Sequence, residues 1–188
     1  TIEIGAEKKI ASWKVRIVGF ENQVNQGIVF QSMDVGPFGK YQNISKQKTR
    51  GVEFELGYQT AKFQADFNYT YLKGEMIDRD STYSSLIRRP SNAWNLYLQA
   101  KLTTKWSVGL SNQYVGQRTD YFYDESSYSV KANPMSAYLW TDVSVHYQFN
   151  SKWKISALLK NALNQEITEI TGYSGQPRNL QISLSGNL

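Results

Sequence analysis

Apolar and polar residues alternate along extended segments of this chain, and this alternation restricts the fold more than any other feature. Every second residue between positions 94 and 102 is apolar, namely Trp94, Leu96, Leu98, Ala100 and Leu102. The segments at 47–59 and 63–71 show the same period of two. This period predicts β-strands whose two faces meet different surroundings, one apolar and one polar.

The connections between these segments alternate in length. Tight turns join some neighbouring segments, at 60–61, 103–105 and 150–151. Long polar connections join the others, near 25–45, 75–90, 119–136 and 165–177. Short turns at one end and long loops at the other predict an antiparallel up-and-down meander. Combined with an apolar outer face, this is the plan of an outer-membrane β-barrel.

The alternation predicts an all-β chain with about nine strands. We place them at about 1–9, 12–24, 47–60, 62–74, 91–103, 105–118, 137–149, 152–164 and 178–188. Single-chain bacterial barrels have an even number of strands, and the first segment begins in the middle of its pattern. We therefore expect residues 1–188 to be one domain that forms part of a barrel. Residues 27–33 form either the upper part of a strand or part of the long loop that follows it. Alternatively, they form a tenth strand, and the chain is a complete small barrel acting as an adhesin or structural protein.

Composition argues against several other classes of protein. The 188 residues include no Cys, which excludes a disulfide framework and a thiolate metal site. No run of 18 apolar residues occurs, as a helical membrane span would require. The net charge of +5 is scattered apart from small clusters at 46–50 and 88–89, so we do not expect nucleic-acid binding. We interpret the cluster at 46–50 as facing the lumen or the rim.

Aromatic residues mark both ends of the predicted strands. If the C-terminus is periplasmic, the short turns are periplasmic and the long loops are extracellular. The periplasmic ends then carry Trp13, Tyr58, Phe63, Trp106, Tyr147, Phe149 and Trp153. The opposite ends carry Tyr69, Tyr71, Trp94 and Tyr114. Two such rows are typical of the two interfaces of a bilayer. In the alternative, a soluble β-sandwich or lipocalin-like barrel, aromatic residues would scatter through the core.

The same parity assigns a face to each residue of the later strands. We expect one set to face lipid, namely Val143, Val145, Ile155, Ala157 and Leu159. We expect the intervening polar set to face the lumen, namely Ser144, His146, Lys154 and Ser156.

Four motifs, taken in order, resemble the C-terminal part of TonB-dependent outer-membrane receptors. They are Thr49-Arg50-Gly51-Val52-Glu53-Phe54-Glu55; Asn68-Tyr69-Thr70-Tyr71-Leu72 followed by Arg88-Arg89-Pro90; Tyr114-Val115-Gly116-Gln117-Arg118 with Asp120; and Lys160-Asn161-Ala162-Leu163-Asn164 followed by Gly172-Tyr173 and Pro177-Arg178. The chain differs from the family pattern at Ala162-Leu163, at Gln176-Pro177 and at Leu188, where the family commonly ends on Phe.

The resemblance implies a 22-stranded barrel with a plugged lumen, of which these residues would be the last nine strands, without the plug domain. It implies a receptor in the outer membrane of a Gram-negative bacterium that imports a scarce nutrient, such as a ferric siderophore or cobalamin. Its expected partners are outer-membrane lipid, the nutrient at the extracellular loops, and TonB acting through the absent plug. No cofactor and no nucleic-acid partner are expected.

The connection at 119–136 is the strongest candidate for ligand binding because it is rich in aromatic residues. Aromatic side chains recognise flat ligands and sugars by stacking and by edge hydrogen bonds. We predict that Tyr121, Tyr123 and Tyr128 contact the ligand, with three further candidates, Arg118, Tyr173 and Tyr83. The alternative is a loop that packs on itself or on a neighbouring loop.

The residues around His146 were considered as a catalytic site. His146 is the one His of the chain, and Asp142 and Ser144 share its face of the strand. A Ser-His-Asp set would suggest a hydrolase. We favour a polar lumen-facing ladder, because every second residue there must be polar, and we expect neither an enzyme nor a metal site. The acidic residues at 78–80 and 124–125 are interpreted as solvated.

Overall fold

A computed structural model describes residues 1–31, 40–78, 81–83 and 86–186. Twelve strands occur in these ranges: β1 (Ile2–Ile10), β2 (Trp13–Gln31), β3 (Lys40–Gln59), β4 (Phe63–Asp78), β5 (Ser81–Tyr83), β6 (Asn92–Lys101), β7 (Trp106–Val115), β8 (Arg118–Asp124), β9 (Ser129–Met135), β10 (Tyr138–Gln148), β11 (Trp153–Lys160) and β12 (Asn179–Gly186). The described residues form no helix long and apolar enough to cross a membrane.

Nine of the strands form one antiparallel meander. Their order is β1-β2-β3-β4-β6-β7-β10-β11-β12, with the short β5 beside β4, and β8 and β9 pair separately. This order confirms the predicted fold. Among the described residues, β1 and β12 end the sheet and do not pair with each other.

The extracellular ends of the strands differ from the prediction. Residues 27–31 pair with residues 40–45 and continue β2 beyond a bulge. This pairing confirms them as the upper part of a strand, and the hypothesis of a separate tenth strand is wrong. The connection predicted at 119–136 contains the β8–β9 hairpin instead of an irregular loop. Strands above the bilayer meet water on both faces, and therefore lack the period of two that reveals membrane strands. Residues 32–39 and the predictions for Asp80 and Leu188 lie outside the described residues.

The register in β10 and β11 agrees with the predicted faces. Val145 lies opposite Ala157 on one face, and His146 lies opposite Ser156 on the other. Leu158, which pairs with Ser144, is an apolar residue on the face predicted to be polar. The two faces are therefore separated as the sequence predicts.

Aromatic rings pack across the strands at the short-turn end. The ring centroids of Trp106 and Tyr147 are 4.6 Å apart, and those of Tyr147 and Phe149 are 4.9 Å apart. Trp13 of β2 and Tyr58 of β3 form a similar pair, with ring centroids 4.5 Å apart, nearer the β1 edge of the sheet. These contacts produce the row expected at the periplasmic interface.

A second row lies at the long-loop end. Trp94 stacks on Tyr114 with ring centroids 5.7 Å apart, and the Tyr69 hydroxyl donates to Asn92 Oδ1 at 2.6 Å. Along β4, Tyr69 lies six residues from Phe63 of the first row, which corresponds to about 20 Å of strand. This separation is close to the height of the apolar band of outer-membrane barrels, about 25 Å.

The structure explains why glycine occurs at position 51, in the first receptor-like motif. It pairs with Phe20 of β2, and a Cβ atom at Gly51 would lie 2.7 Å from the Phe20 ring and 2.2 Å from the Tyr71 carbonyl oxygen. The Phe20 ring therefore covers a strand position that only glycine leaves free.

Candidate functional site

The β8–β9 hairpin continues the barrel wall upward from β7 and β10. Val115 pairs with Tyr138 at the end of one ladder, and Arg118 pairs with Met135 at the start of the next. Three positions separate the pairs on each strand, so the register is unchanged across the break. At the break, Gly116 N donates to the Asn92 carbonyl oxygen at 2.9 Å, and a Cβ on Gly116 would lie 2.7 Å from that oxygen.

Asp120 connects three separate extracellular segments. Its side chain is fully buried, and its Oδ1 accepts hydrogen bonds from Arg88 Nε at 2.6 Å and from its neighbour Tyr121 N at 2.8 Å. Its Oδ2 accepts from Thr171 N at 2.9 Å. The segment before β6, the hairpin and the connection after β11 therefore meet at one carboxylate.

The environment of Asp120 keeps its carboxylate charged. Burial alone would raise its pKa, but the hydrogen bonds from Thr171 N and from the Arg88 side chain outweigh burial and lower the pKa from 3.8 to about 2. Asp120 lies above the aromatic rows, outside the membrane-spanning segments. Its contacts are therefore fully formed at neutral pH.

Arg118 joins two of these segments, the hairpin and the connection after β11, and does not point into open solvent. It is 8% exposed, its Nη2 donates to the Thr168 carbonyl oxygen at 2.7 Å, and its guanidinium carbon lies 5.2 Å from the centre of the Tyr138 ring. The Tyr138 hydroxyl in turn donates to Glu169 at 3.4 Å.

Asn161 anchors the final long connection. It is fully buried with a positive φ of 47°, and its Nδ2 donates to the carbonyl oxygens of Gln165 at 2.9 Å and Gln176 at 3.1 Å. Its own backbone N donates to Asp142 Oδ1 at 2.9 Å. The Asn of the last receptor-like motif therefore folds residues 161–176 against the top of β10.

The structure separates the predicted ligand-contacting residues into two groups. Tyr121 and Tyr123 lie on the face of β8 opposite Arg118 and Asp120, and by the unbroken register this face continues the side of β7 that carries Ser111. Tyr121 is half-buried, and Tyr123 is 58% exposed.

Two further tyrosines are more exposed. Tyr128 is 83% exposed in the hairpin turn with a φ of 49°, and Tyr173 is 72% exposed in the connection after β11. Tyr83 belongs to β5, and its side chain lies outside the described residues. The large exposed areas of Tyr123, Tyr128 and Tyr173 disfavour the alternative that these rings pack within the loops.

Asp124 organises the turn that presents Tyr128. It forms an ion pair with Lys131 and accepts hydrogen bonds from Ser126 Oγ at 2.8 Å and Ser127 Oγ at 2.7 Å. The contact with Lys131, followed by those with the serines, holds the Asp124 pKa well below its usual value. This carboxylate is thus engaged within its own turn.

The residues considered for catalysis are not assembled into a triad. His146 Nδ1 lies 2.8 Å from Ser156 Oγ, whereas Asp142 Oδ1 accepts from Trp140 Nε1 at 2.5 Å and from Asn161 N. Asp142 and His146 are four residues apart on β10, about 13 Å along the strand. The described residues contain no group of three or more His, Cys, Asp or Glu that could hold a metal ion.

Sequence reasoning identified Asp120, Arg88 and Asn161 only as members of motifs and assigned them no role. The partners of Asp120 are distant in sequence, because Arg88 and Asp120 differ by 32 in residue number and Asp120 and Thr171 differ by 51. In the local sequence Asp120, Arg88 and Asn161 are each a polar or charged member of a motif, and this does not specify the partner of any of them.

Comparison with known proteins identifies a family of β-barrels that resembles this chain. Residues 1–162 match the family described as TonB dependent receptor-like, beta-barrel. The chain is similar to the vitamin B12 transporter BtuB of Vibrio cholerae serotype O1, with 30% identity over 169 residues. That alignment covers 88% of this chain and 25% of the transporter, so the chain spans about a quarter of the length of the curated relatives it matches.

Several solved structures share the fold. The pyoverdine receptor FpvA of Pseudomonas aeruginosa, bound to pyoverdine, has a TM-score of 0.81 at 21% identity, covering 99% of this chain and 29% of FpvA. The siderophore receptor PirA of Acinetobacter baumannii has a TM-score of 0.81 at 16% identity, covering 98% of this chain and 31% of PirA. The ferric-catecholate import receptor Fiu of E. coli K12 has a TM-score of 0.78 at 20% identity, covering 98% of this chain and 27% of Fiu.

Proposed function

The chain belongs to the β-barrel family of TonB-dependent receptors, and from this premise we propose that it forms the C-terminal part of the barrel of a nutrient receptor. The protein resides in the outer membrane of a Gram-negative bacterium. The complete receptor binds a scarce nutrient at its extracellular loops, either a ferric siderophore, cobalamin or a similar compound. Import is powered by the inner-membrane TonB system through a plug domain that is not in this chain.

The observation that carries the proposal is a set of tyrosines on a fixed extracellular framework, of which Tyr123 and Tyr128 are largely exposed. Asp120 and Arg118 tie the hairpin to its neighbours, and this framework presents Tyr121 and Tyr123 on the opposite face of β8. Binding sites that are already ordered lose less conformational entropy when a ligand binds. Aromatic rings held in this way supply flat apolar surface and hydroxyl groups for a ligand.

Replacing Tyr121, Tyr123 and Tyr128 together by Ala in the native-length receptor tests the proposal. We expect uptake of the transported nutrient to fall by about tenfold or more, because each lost aromatic anchor weakens binding by about 1 kcal/mol or more. Cells are supplied with radiolabelled cobalamin or with radiolabelled ferric siderophores, in strains with and without TonB. Uptake that depends on TonB for one ligand class identifies the nutrient.

The matched control is Phe122→Ala, which removes an aromatic ring from the other face of the same hairpin. Surface abundance is measured for both variants. If the triple variant and the control take up the nutrient as well as the wild type does, at equal abundance, the tyrosines do not form the binding site. If the control loses as much uptake as the triple variant, the effect lies in the hairpin fold and the assignment of the tyrosines is wrong.

A further inference from the structure

A basic cleft lies on the outer surface of the wall formed by β3 and β4. It has a volume of about 280 Å³ and is lined by Lys48, Arg50, Lys73, Gly74 and Glu75. The register places its charged side chains on the face that carries the outer aromatic row. This position distinguishes the cleft from the candidate nutrient site on the extracellular loops.

The height of the cleft follows from the pairing. Arg50 pairs with Lys73, and the next pair down the same face is Val52 with Tyr71. Tyr71 belongs to the outer aromatic row, so the basic pair lies about 7 Å further out along the strands. Aromatic rows mark the level of the lipid headgroups. The cleft therefore opens where the phosphates of the outer leaflet are found.

The three basic side chains Lys48, Arg50 and Lys73 outnumber the two carboxylates beside them, Glu75 opposite Lys48 and Glu21 opposite Arg50 on β2. Lys48 forms an ion pair with Glu21 at 3.0 Å. Arg50 and Lys73 are exposed and lie directly opposite each other, and neither has an ion pair or side-chain hydrogen bond within the described part of the chain. Like charges placed directly opposite in a sheet destabilise it. An anion between them would relieve this repulsion.

We propose that this cleft binds the phosphate group of an anionic glycolipid of the outer leaflet. Lys and Arg side chains bind phosphate through charge-assisted hydrogen bonds, and clusters of basic residues at the membrane surface bind anionic headgroups. A lipid is the occupant that fits best because the apolar face of Val52 and Tyr71 directly below accommodates its acyl chains. The lipid contributes the negative charge that the strand pair lacks.

The test uses the native-length protein in nanodiscs of phosphatidylcholine that contain a small fraction of diphosphoryl lipid A. Lipid retained by the purified protein is measured by mass spectrometry for the wild type and for the double variant Arg50→Gln/Lys73→Gln. We expect the variant to retain roughly 25-fold less lipid A, because each basic residue near an anionic surface contributes about fivefold to affinity. Dephosphorylated lipid A should be retained poorly by both proteins.

The control variant is Lys105→Gln/Lys152→Gln, which removes two charges from the short periplasmic turns and should retain lipid A as the wild type does. Heat-modified migration in gels confirms that each variant is folded, and the single variant Lys73→Gln serves if the double variant does not fold. Equal retention by the wild type and the Gln variant would overturn the proposal. So would equal retention of dephosphorylated lipid A, or displacement of lipid A by millimolar inorganic phosphate.

Discussion

At the scale of single residues, Asp120 holds three extracellular segments together. Its carboxylate is fully buried and joins Arg88 and Thr171, which belong to different extracellular segments. Because the folded-state pKa is about 2 and the ordinary value is 3.8, its stabilising effect is complete above about pH 4. The effect is lost as the pH falls through about 2.

Replacing Asp120 with Asn should therefore loosen the connection after β11 at neutral pH. The Asn amide has one acceptor oxygen instead of two, so it cannot accept all the hydrogen bonds that Asp120 accepts from Arg88, Tyr121 and Thr171. Leaving buried donors unsatisfied costs about 1–3 kcal/mol. At pH 7, hydrogen exchange of the Thr171 amide should be faster in the variant than in the wild type. In the wild type, this exchange should become faster only below about pH 4. The matched variant Asp124→Asn alters the hairpin turn alone, and unchanged exchange at Thr171 in both variants would contradict the role of Asp120.

A second prediction at this scale concerns the two faces of β11. Arg in place of Ala157, on the face predicted to meet lipid, should destabilise the barrel by about 2–4 kcal/mol. Arg in place of Ser156, on the lumen side, should be tolerated because water or polar groups solvate its charge. Unfolding by urea in lipid vesicles measures the difference. Equal tolerance at both positions would contradict the assigned faces.

At the scale of elements, the strands that cross the bilayer could be predicted from sequence, and the extracellular elements could not. Trp94, Leu96 and Leu98 reveal β6 because lipid and the lumen impose different polarities on its two faces. Tyr121 and Ala132, paired in the β8–β9 hairpin, follow no such pattern because both of its faces are extracellular.

Sequence could predict the tyrosines of the candidate site, but it could not predict the burial of Arg118. The abundance of tyrosines drew attention to Tyr121, Tyr123 and Tyr128, and the structure shows Tyr123 and Tyr128 to be exposed. Arg118 is a further sequence-based candidate for the same site. Its burial against Thr168 and Tyr138 depends on the fold of a connection about 50 residues away, which local sequence does not specify.

At the scale of the whole molecule, the sheet is open. Within the described residues, β1 and β12 lie at its two ends without pairing to each other. Exposed strand edges in hydrocarbon leave backbone groups unsatisfied, and each such group costs several kcal/mol. We propose that further strands and a plug domain complete the barrel in the native protein.

This proposal predicts the behaviour of residues 1–188 when they are produced alone. The isolated chain should assemble into oligomers through its two edges, because β1 and β12 each need a neighbouring strand. Light scattering of the detergent-solubilised chain measures its mass. A closed monomer in which β1 and β12 are hydrogen-bonded, as shown by cross-links between engineered cysteines, would contradict the proposal and favour a small complete barrel.

The carboxylate of Asp120 also sets the unit in which such a receptor can be re-engineered. Residues 86–91 and 165–177 each donate to this one acceptor in residues 118–135. A graft that replaces the hairpin leaves both donors without their acceptor, and a graft that replaces either donor segment leaves the buried carboxylate short of a donor. Exchanging ligand preference between relatives therefore requires moving the three segments as a single cassette. The short periplasmic turns form no part of that cassette and can remain those of the host scaffold.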